Sequence, residues 1–285
     1  MTSNLYVSTA CLPGMEALAS RIAEYRRHGL LNVELGAGIH VDGDITTLLS
    51  GFEGRFLIHN YFPPPADSFV LNLASGNKNI RQRSIDMVSA ALGLCARLGA
   101  PYYSVHAGFI TEPVGVGKAG FVFPMPKGTN EAQDAMERFI NSIGGLMDRA
   151  KNLGVTILVE NNVCTVAAKG KLLLQTADEF LELFRALPNP QLGLLLDTGH
   201  LNVSAHTLGF NRFDFMDQVA PYIRAFHIHD NDGMADTHNV ISPESWVIDL
   251  LRRSVSAGLP IVIESRFKDV SSLRQHVYWL TGELM

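Results

Sequence analysis

The sequence predicts an α/β protein built as a single (β/α)8 barrel, and three observations carry that reading. Short apolar runs of strand length alternate with segments of helical periodicity, and eight such strand–helix units follow one another along the chain. Several of the runs, among them TILVE at 156–160, LGLLLD at 192–197 and IVIE at 261–264, are almost continuously apolar. Strands covered on both faces have that character. The length of 285 residues suits one barrel of about 250 residues with its loops, so residues 1–285 are read as one domain. An open doubly wound sheet is the competing architecture. It would carry a glycine-rich phosphate loop after its first strand, and this sequence has none there.

The elements follow in order. Leu5–Thr9 is the first strand. Pro13 and Gly14 precede a helix over Met15–His28, with Leu18, Ile22 and Tyr25 at helical spacing. Leu31–Leu35 is the second strand, with Glu34 near its end, and Ile45–Leu49 a short helix. Phe56–His59 is the third strand, which Pro63, Pro64 and Pro65 terminate in a rigid loop. That loop runs on through Phe69, Leu71 and Leu73 and reads as a lid or pocket wall. Asn79–Leu98 is helical, with Ile85, Val88, Leu92 and Cys95 as its buried stripe and Gly99 and Pro101 as its stop. Tyr102–His106 is the fourth strand. The segment Ala107–Gly128, with five glycines and three prolines, reads as a mobile or functional loop. A helix over Glu131–Leu153, capped by Asn130 with Gln133 and ended by Gly154, leads to the fifth strand, Thr156–Glu160. Thr176 and Glu179 form a capping box for the helix Ala177–Leu187. Leu192–Asp197 is the sixth strand, Phe213–Val219 a short helix and Ile223–Ile228 the seventh strand. Ser242 caps a helix with Pro243 at its first position, running to Ala257. Ile261–Glu264 is the eighth strand and Val270–Leu280 the closing helix.

Composition narrows the function classes. A chain with 47% hydrophobic and 18% charged residues is globular with a large core. A net charge of −5 provides no overall basic field for a nucleic acid. Cys11, Cys95 and Cys164 are odd in number and far apart, so neither a disulfide framework nor structural zinc spacing is expected. The N-terminus lacks a basic region followed by an apolar stretch, and no apolar run approaches membrane-spanning length. A soluble cytoplasmic protein is expected.

The ends of the strands carry the chemistry. The third strand ends in His59, the fourth in His106, the fifth in Glu160 followed by Asn161 and Asn162. The sixth ends in Asp197 with His200 close behind, and the eighth in Glu264 with Arg266 beyond it. The seventh runs into IRAFHIHDNDGMADTH at 223–238, which holds His227, His229, Asp230, Asp232, Asp236 and His238. In a parallel barrel these ends converge on one face, where active sites lie. Imidazole and carboxylate are the ligands a borderline divalent metal takes. Glu160 and Glu264 end apolar strands, where an uncompensated charge is costly and an ion between them offsets that cost. Glu160, Asp197, His227 and Glu264 are therefore expected around one divalent ion, with His200 beside them as ligand or substrate contact. His59, His106, Asp236 and His238 are expected to line the same pocket and hold further ions. Such a donor set takes one to three ions of Zn²⁺, Mn²⁺, Co²⁺ or Mg²⁺. Arg266 is a candidate for holding a hydroxyl, carboxylate or phosphate. His28, His40, His206 and His276 occupy no such position.

Nearly the whole chain resembles the xylose-isomerase-like TIM barrels, which include sugar epimerases and endonuclease IV. The resemblance rests on Glu160, the DTGH run at 197–200, FHIHDN at 226–231 and Glu264. It implies metal ligation by Glu160, Asp197, His227 and Glu264, and a metal- or substrate-binding role for His200. The finer similarity is to endonuclease IV, which holds three zinc ions with nine ligands. Those ligand types match His59, His106, Glu160, Asp197, His200, His227, Asp236, His238 and Glu264, and FVLNLA at 69–74 looks like its substrate loop. The chain departs from it in the HNYFPPP stretch at 59–65, in Ala107 where that enzyme has proline, and in NVISPES after His238.

Three functions compete at this stage. One is metal-dependent isomerisation or epimerisation of a small sugar or sugar-phosphate-like compound through an enediolate, with Glu160 and Glu264 moving the proton. Another is phosphoester hydrolysis on two or three zinc ions, as in endonuclease IV. The third is a non-catalytic ligand-binding barrel. The acidic balance favours a small-molecule substrate over nucleic acid, the lack of a long apolar run argues for no membrane partner, and a homo-oligomer is compatible with the sequence.

Overall fold

The computed structural model describes residues 4–14, 17–117, 120–254 and 258–284. Eight parallel strands close into a barrel: β1 (Leu5–Ser8), β2 (Asn32–Leu35), β3 (Arg55–His59), β4 (Tyr102–His106), β7 (Thr156–Glu160), β8 (Leu192–Asp197), β9 (Ile223–Ile228) and β10 (Ile261–Ile263). Between β4 and β7 the chain forms a separate antiparallel hairpin, β5 (Gly115–Gly117) with β6 (Gly120–Val122). The barrel closes where β1 pairs with both β2 and β10. Helices surround it in chain order: α1 (Leu18–Arg27), α2 (Ile45–Leu48), α3 (Lys78–Leu98), α4 (Glu131–Gly144), α5 (Met147–Leu153), α6 (Ala177–Ala186), α7 (Thr198–Leu208), α8 (Arg212–Val219), α9 (Trp246–Ser254) and α10 (Val270–Glu283). This is a (β/α)8 barrel, as the alternating pattern predicts.

Two apolar assemblies hold it together. The larger one packs the outer faces of the strands against the helices, with Leu18, Val88, Phe139, Phe180 and Leu251 all buried in it. The smaller one fills the barrel interior with Tyr6, Leu57, Tyr102, Leu158, Leu195, Ala225 and Val262. Side chains along a strand alternate faces with a period of two. Hence residues two positions beyond this apolar layer point into the same interior. They are Ser8, His59, Ser104, Glu160, Asp197, His227 and Glu264. One period therefore supplies both the packed floor of the barrel and the polar layer above it.

The strands lie within a residue of their expected limits, and the differences concentrate in helices. The expected helix 131–153 is two helices, because Gly144 and Gly145 break it before α5 resumes at Met147. Asn130 makes no side-chain cap; Glu131 Oε1 instead accepts from the Gly128 amide at 3.0 Å. Ser242 does not cap α9. Residues 242–245 form a turn closed by the Ser245 amide on the Ser242 carbonyl at 3.0 Å, and the helix starts at Trp246. Met15 and Ala257, the expected ends of two helices, lie outside the described residues. The sequence reading also missed α7, whose start, TGH, lacks an apolar stripe. Thr176 and Glu179 do form the capping box of α6.

Two loops over the mouth are tied together by one buried amide. Asn72, in the apolar loop after β3, accepts from the amides of Ala74 at 3.1 Å and Phe109 at 3.0 Å. It also donates to the Phe109 carbonyl and to Glu112, each at 3.1 Å. The three cysteines are free and buried. Among the described residues no helix is long and apolar enough to cross a membrane.

His276, on α10, packs between Phe267 and Trp279 with ring centroids 5.3 and 5.1 Å away. Burial pushes its imidazole from 6.5 down to about 4. The unfolded chain then binds a proton that the folded one refuses, so stability declines as pH falls from about 6.5 towards about 4. Replacing His276 with Phe is expected to remove that part of the acid sensitivity. Denaturant midpoints of both proteins should diverge progressively below pH 6.5, and parallel curves would count against the assignment.

Candidate metal centre

The polar layer of the barrel mouth brings together the residues that the strand ends suggested. Glu160 lies at its middle. Its Oε2 is 3.5 Å from His59 Nε2 and 3.2 Å from His106 Nε2, and its Oε1 is 3.4 Å from His227 Nδ1. His227 Nδ1 is also 3.4 Å from Glu264 Oε2 and 4.0 Å from Asp197 Oδ2. A second group sits beside it: Asp236 Oδ2 lies 3.5 Å from His200 Nε2 and 3.2 Å from His238 Nε2. Glu160, Asp197, His227, His59 and His200 are buried, and His106 is partly exposed towards the mouth.

The spacing fits a metal. Donors about 2.1 Å from a tetrahedral ion stand roughly 3.4 Å from one another. The cluster's nitrogen–oxygen distances of 3.2 to 3.5 Å match that edge better than they match hydrogen bonds. Buried Glu160 Oε2, His227 Nδ1 and Asp236 Oδ1 have no hydrogen-bond partner. Donor triplets within coordinating reach include His59, His106 and Glu160; Glu160, Asp197 and His227; and His229, Asp236 and His238.

A second set of contacts fixes the rings. His59 Nδ1 meets Ser104 Oγ at 3.0 Å, His200 Nδ1 the Asn161 carbonyl at 2.8 Å, and His238 Nδ1 the Glu264 carbonyl at 3.1 Å. Each of these rings thus aims its other nitrogen, Nε2, at a carboxylate of the cluster. Outer partners of this kind set ring orientation and tautomer in metal sites. His227 is turned the other way, with Nε2 on Glu34 at 3.0 Å and Nδ1 facing the cluster. Asn161 exchanges two hydrogen bonds with the Asp197 backbone, at 3.0 and 2.8 Å, and locks the ends of β7 and β8 together.

Electrostatics follow the same arrangement. Burial opposes ionisation of Glu160 and Glu264, but the surrounding imidazoles outweigh it and hold both carboxyls below the usual range. Burial also opposes charge on His227 and His200, yet the facing carboxylates raise both well above an ordinary imidazole. His59 behaves oppositely: burial pushes it down to about 3 despite Glu160. Glu34 is pushed up to about 7 by burial, against the pull of His227. Without a cation, protons on the histidines balance the carboxylates.

Two residues of the cluster, Glu34 and His229, stand near strand ends in the sequence but are not among the expected ligands. Glu34 is fully buried on β2, and its place near a strand end was the available signal. His229 faces Asp197 with Nε2 3.1 Å from Oδ1 and 3.6 Å from Asp236 Oδ1, and stacks on His238 with centroids 4.0 Å apart. Its ring rests against Gly199, where an added Cβ would lie 1.8 Å from the ring carbon Cε1. Arg266, expected as a substrate contact, is exposed; its backbone amide donates to the His238 carbonyl at 2.8 Å.

Two outcomes are expected. Coordination requires neutral imidazoles, so loading with zinc or manganese should release protons, and affinity should rise from about pH 6 to pH 8. Calorimetry in buffers of different ionisation enthalpy measures this, and buffer-independent heats would contradict it. Replacing Glu34 with Leu leaves His227 Nε2 without its partner and should weaken metal binding by about 10- to 100-fold. Unchanged affinity would show that Glu34 does not orient the ring.

Comparison with known proteins agrees with this fold. The chain is 22% identical over 189 residues to fructoselysine 3-epimerase of Escherichia coli O157:H7, covering 63% of this chain and 56% of that protein. It is 29% identical over 150 residues to a probable endonuclease 4 of Sulfurihydrogenibium sp. (strain YO3AOP1), covering 51% of this chain and 46% of that protein. The chain thus spans about half the length of these curated relatives. Among solved structures, a D-tagatose 3-epimerase-like protein superposes with a TM-score of 0.74 at 20% identity, over 99% of this chain and 97% of the other. An L-ribulose 3-epimerase gives 0.72 at 17% identity, over 99% and 94%. At these identities the superpositions speak for the fold. The family described as xylose isomerase-like TIM barrel matches residues 47–278, and the chain belongs to it.

Proposed function

We propose that the protein is a metal-dependent isomerase or epimerase of a small sugar or sugar-phosphate-like hydroxyketone. The observation that carries the reading is that Glu160 and Glu264 both face His227 Nδ1, each 3.4 Å from it. Two carboxylates facing one ion-sized space can remove a carbon-bound proton from one side of a substrate and return it from the other. A divalent ion held by Glu160, Asp197 and His227 would supply positive charge beside the substrate oxygens. His200 and His238 border the space and can orient substrate hydroxyls. Relatives named as sugar epimerases support the same chemistry.

A second reading is phosphoester hydrolysis, favoured by one observation. The donor triplets spread across the mouth from His106 to His238, a wider row than a single ion needs. A net charge of −5 weighs against a nucleic-acid substrate.

The test is solvent exchange. Metal-loaded protein incubated with ketoses in deuterated water should incorporate deuterium next to the carbonyl. Replacing Glu264 with Gln should slow that exchange by about 100-fold or more, with metal content measured alongside because the same carboxylate faces the ion space. Zinc-dependent cleavage of an abasic-site duplex, abolished by Glu160→Gln, would replace this reading with the hydrolytic one.

A further inference from the structure

A groove of about 570 Å³ opens directly from the metal centre. His106, His200 and Asp236 line it together with Phe109, Phe121 and Phe123. The three phenyl rings make a triangle, with centroids 4.8 Å apart for Phe109 and Phe123, 6.1 Å for Phe109 and Phe121, and 6.2 Å for Phe121 and Phe123. Phe121 is 47% exposed, and it sits on a hairpin whose neighbours Val114, Val116 and Val122 are exposed too. Exposed apolar surface of this kind at the rim of a polar site marks a ligand contact. Lys171, on the same groove, is turned onto the Ala167 carbonyl at 2.8 Å.

We propose that this groove selects hydroxyketones carrying a planar apolar substituent, an aryl group or its equivalent, over the bare polyol. The proposal rests on the isomerase reading for the chemistry of the oxygen-bearing end. That end lies against His106, His200 and Asp236. The substituent lies against the phenylalanines, where ring stacking and burial reward a flat apolar body and offer little to a chain of hydroxyls. The groove is also of the size that encloses a ligand larger than a monosaccharide.

The experiment uses two probes with one headgroup, 2-hydroxyacetophenone and hydroxyacetone, and the manganese-loaded full chain. Calorimetry or ligand-observed resonance measures the affinity of each. The phenyl probe is expected to bind about tenfold tighter or better. Phe121→Ala and Phe123→Ala should each reduce that ratio by about threefold or more, with circular dichroism unchanged, since Phe121 projects from the surface. Equal affinity for the two probes overturns the proposal, as does a ratio that survives both substitutions. Deuterium exchange at the carbinol carbon is followed in the same samples. Exchange without phenyl preference defeats the substrate class and leaves the isomerase reading standing. Phenyl preference without exchange of either probe defeats the isomerase reading and leaves the groove's selectivity standing.

Discussion

Negative charge held inside an apolar barrel is the constraint on which the rest depends. Glu34, Glu160, Asp197 and Glu264 are all buried at one end of the strands, in a space bounded below by Tyr6, Leu57, Leu158 and Val262. Carboxylates in such a position are tolerated only with positive charge among them. Histidines supply it when no ion is bound, and a divalent cation replaces their protons when one is. His200, His227 and His238, which the facing carboxylates raise above an ordinary imidazole, therefore have to serve two states. The contacts to Ser104, Asn161, Glu34 and the Glu264 carbonyl keep one nitrogen occupied, so that the other stays directed at the carboxylates in both.

The same charge arrangement leaves the reaction open and the substrate more constrained. Sugar epimerisation and phosphoester hydrolysis draw on similar donors, and the difference lies in what sits beside them. Here the mouth is walled by phenylalanines and by the loop that Asn72 pins to the Phe109 backbone. Phosphate is held by guanidinium and ammonium groups, whereas Lys171 on this wall is turned onto the Ala167 carbonyl and the phenylalanines suit carbon-rich ligands.

The fold was legible because strand and helix periods differ and because buried parallel strands are nearly all apolar. The strand ends were legible for a related reason: a charged residue closing a run such as TILVE or LGLLLD stands out. Glu34 escaped because NVEL is short and mixed, so its acid looked like ordinary surface. His229 was visible beside His227 but took no ligand role, because it lies past the end of β9, where the alternation of the strand gives way to a turn. The break at Gly144 and Gly145 has no clear mark either, since glycine within an otherwise amphipathic helix is often tolerated. Aromatic clustering in the glycine-rich loop depends on the hairpin folding back, a long-range event that local pattern does not reveal.

Gly199 couples two distant parts of the chain. Its missing side chain is the space in which the His229 ring lies. A branch that gained even a methyl group at this position would have to give up the imidazole, or move it out of reach of Asp197 and Asp236. The two positions are thus free to change only together, as glycine with histidine or as a bulkier residue with something small. A relative's residue at the first position would then report whether its centre includes this ring.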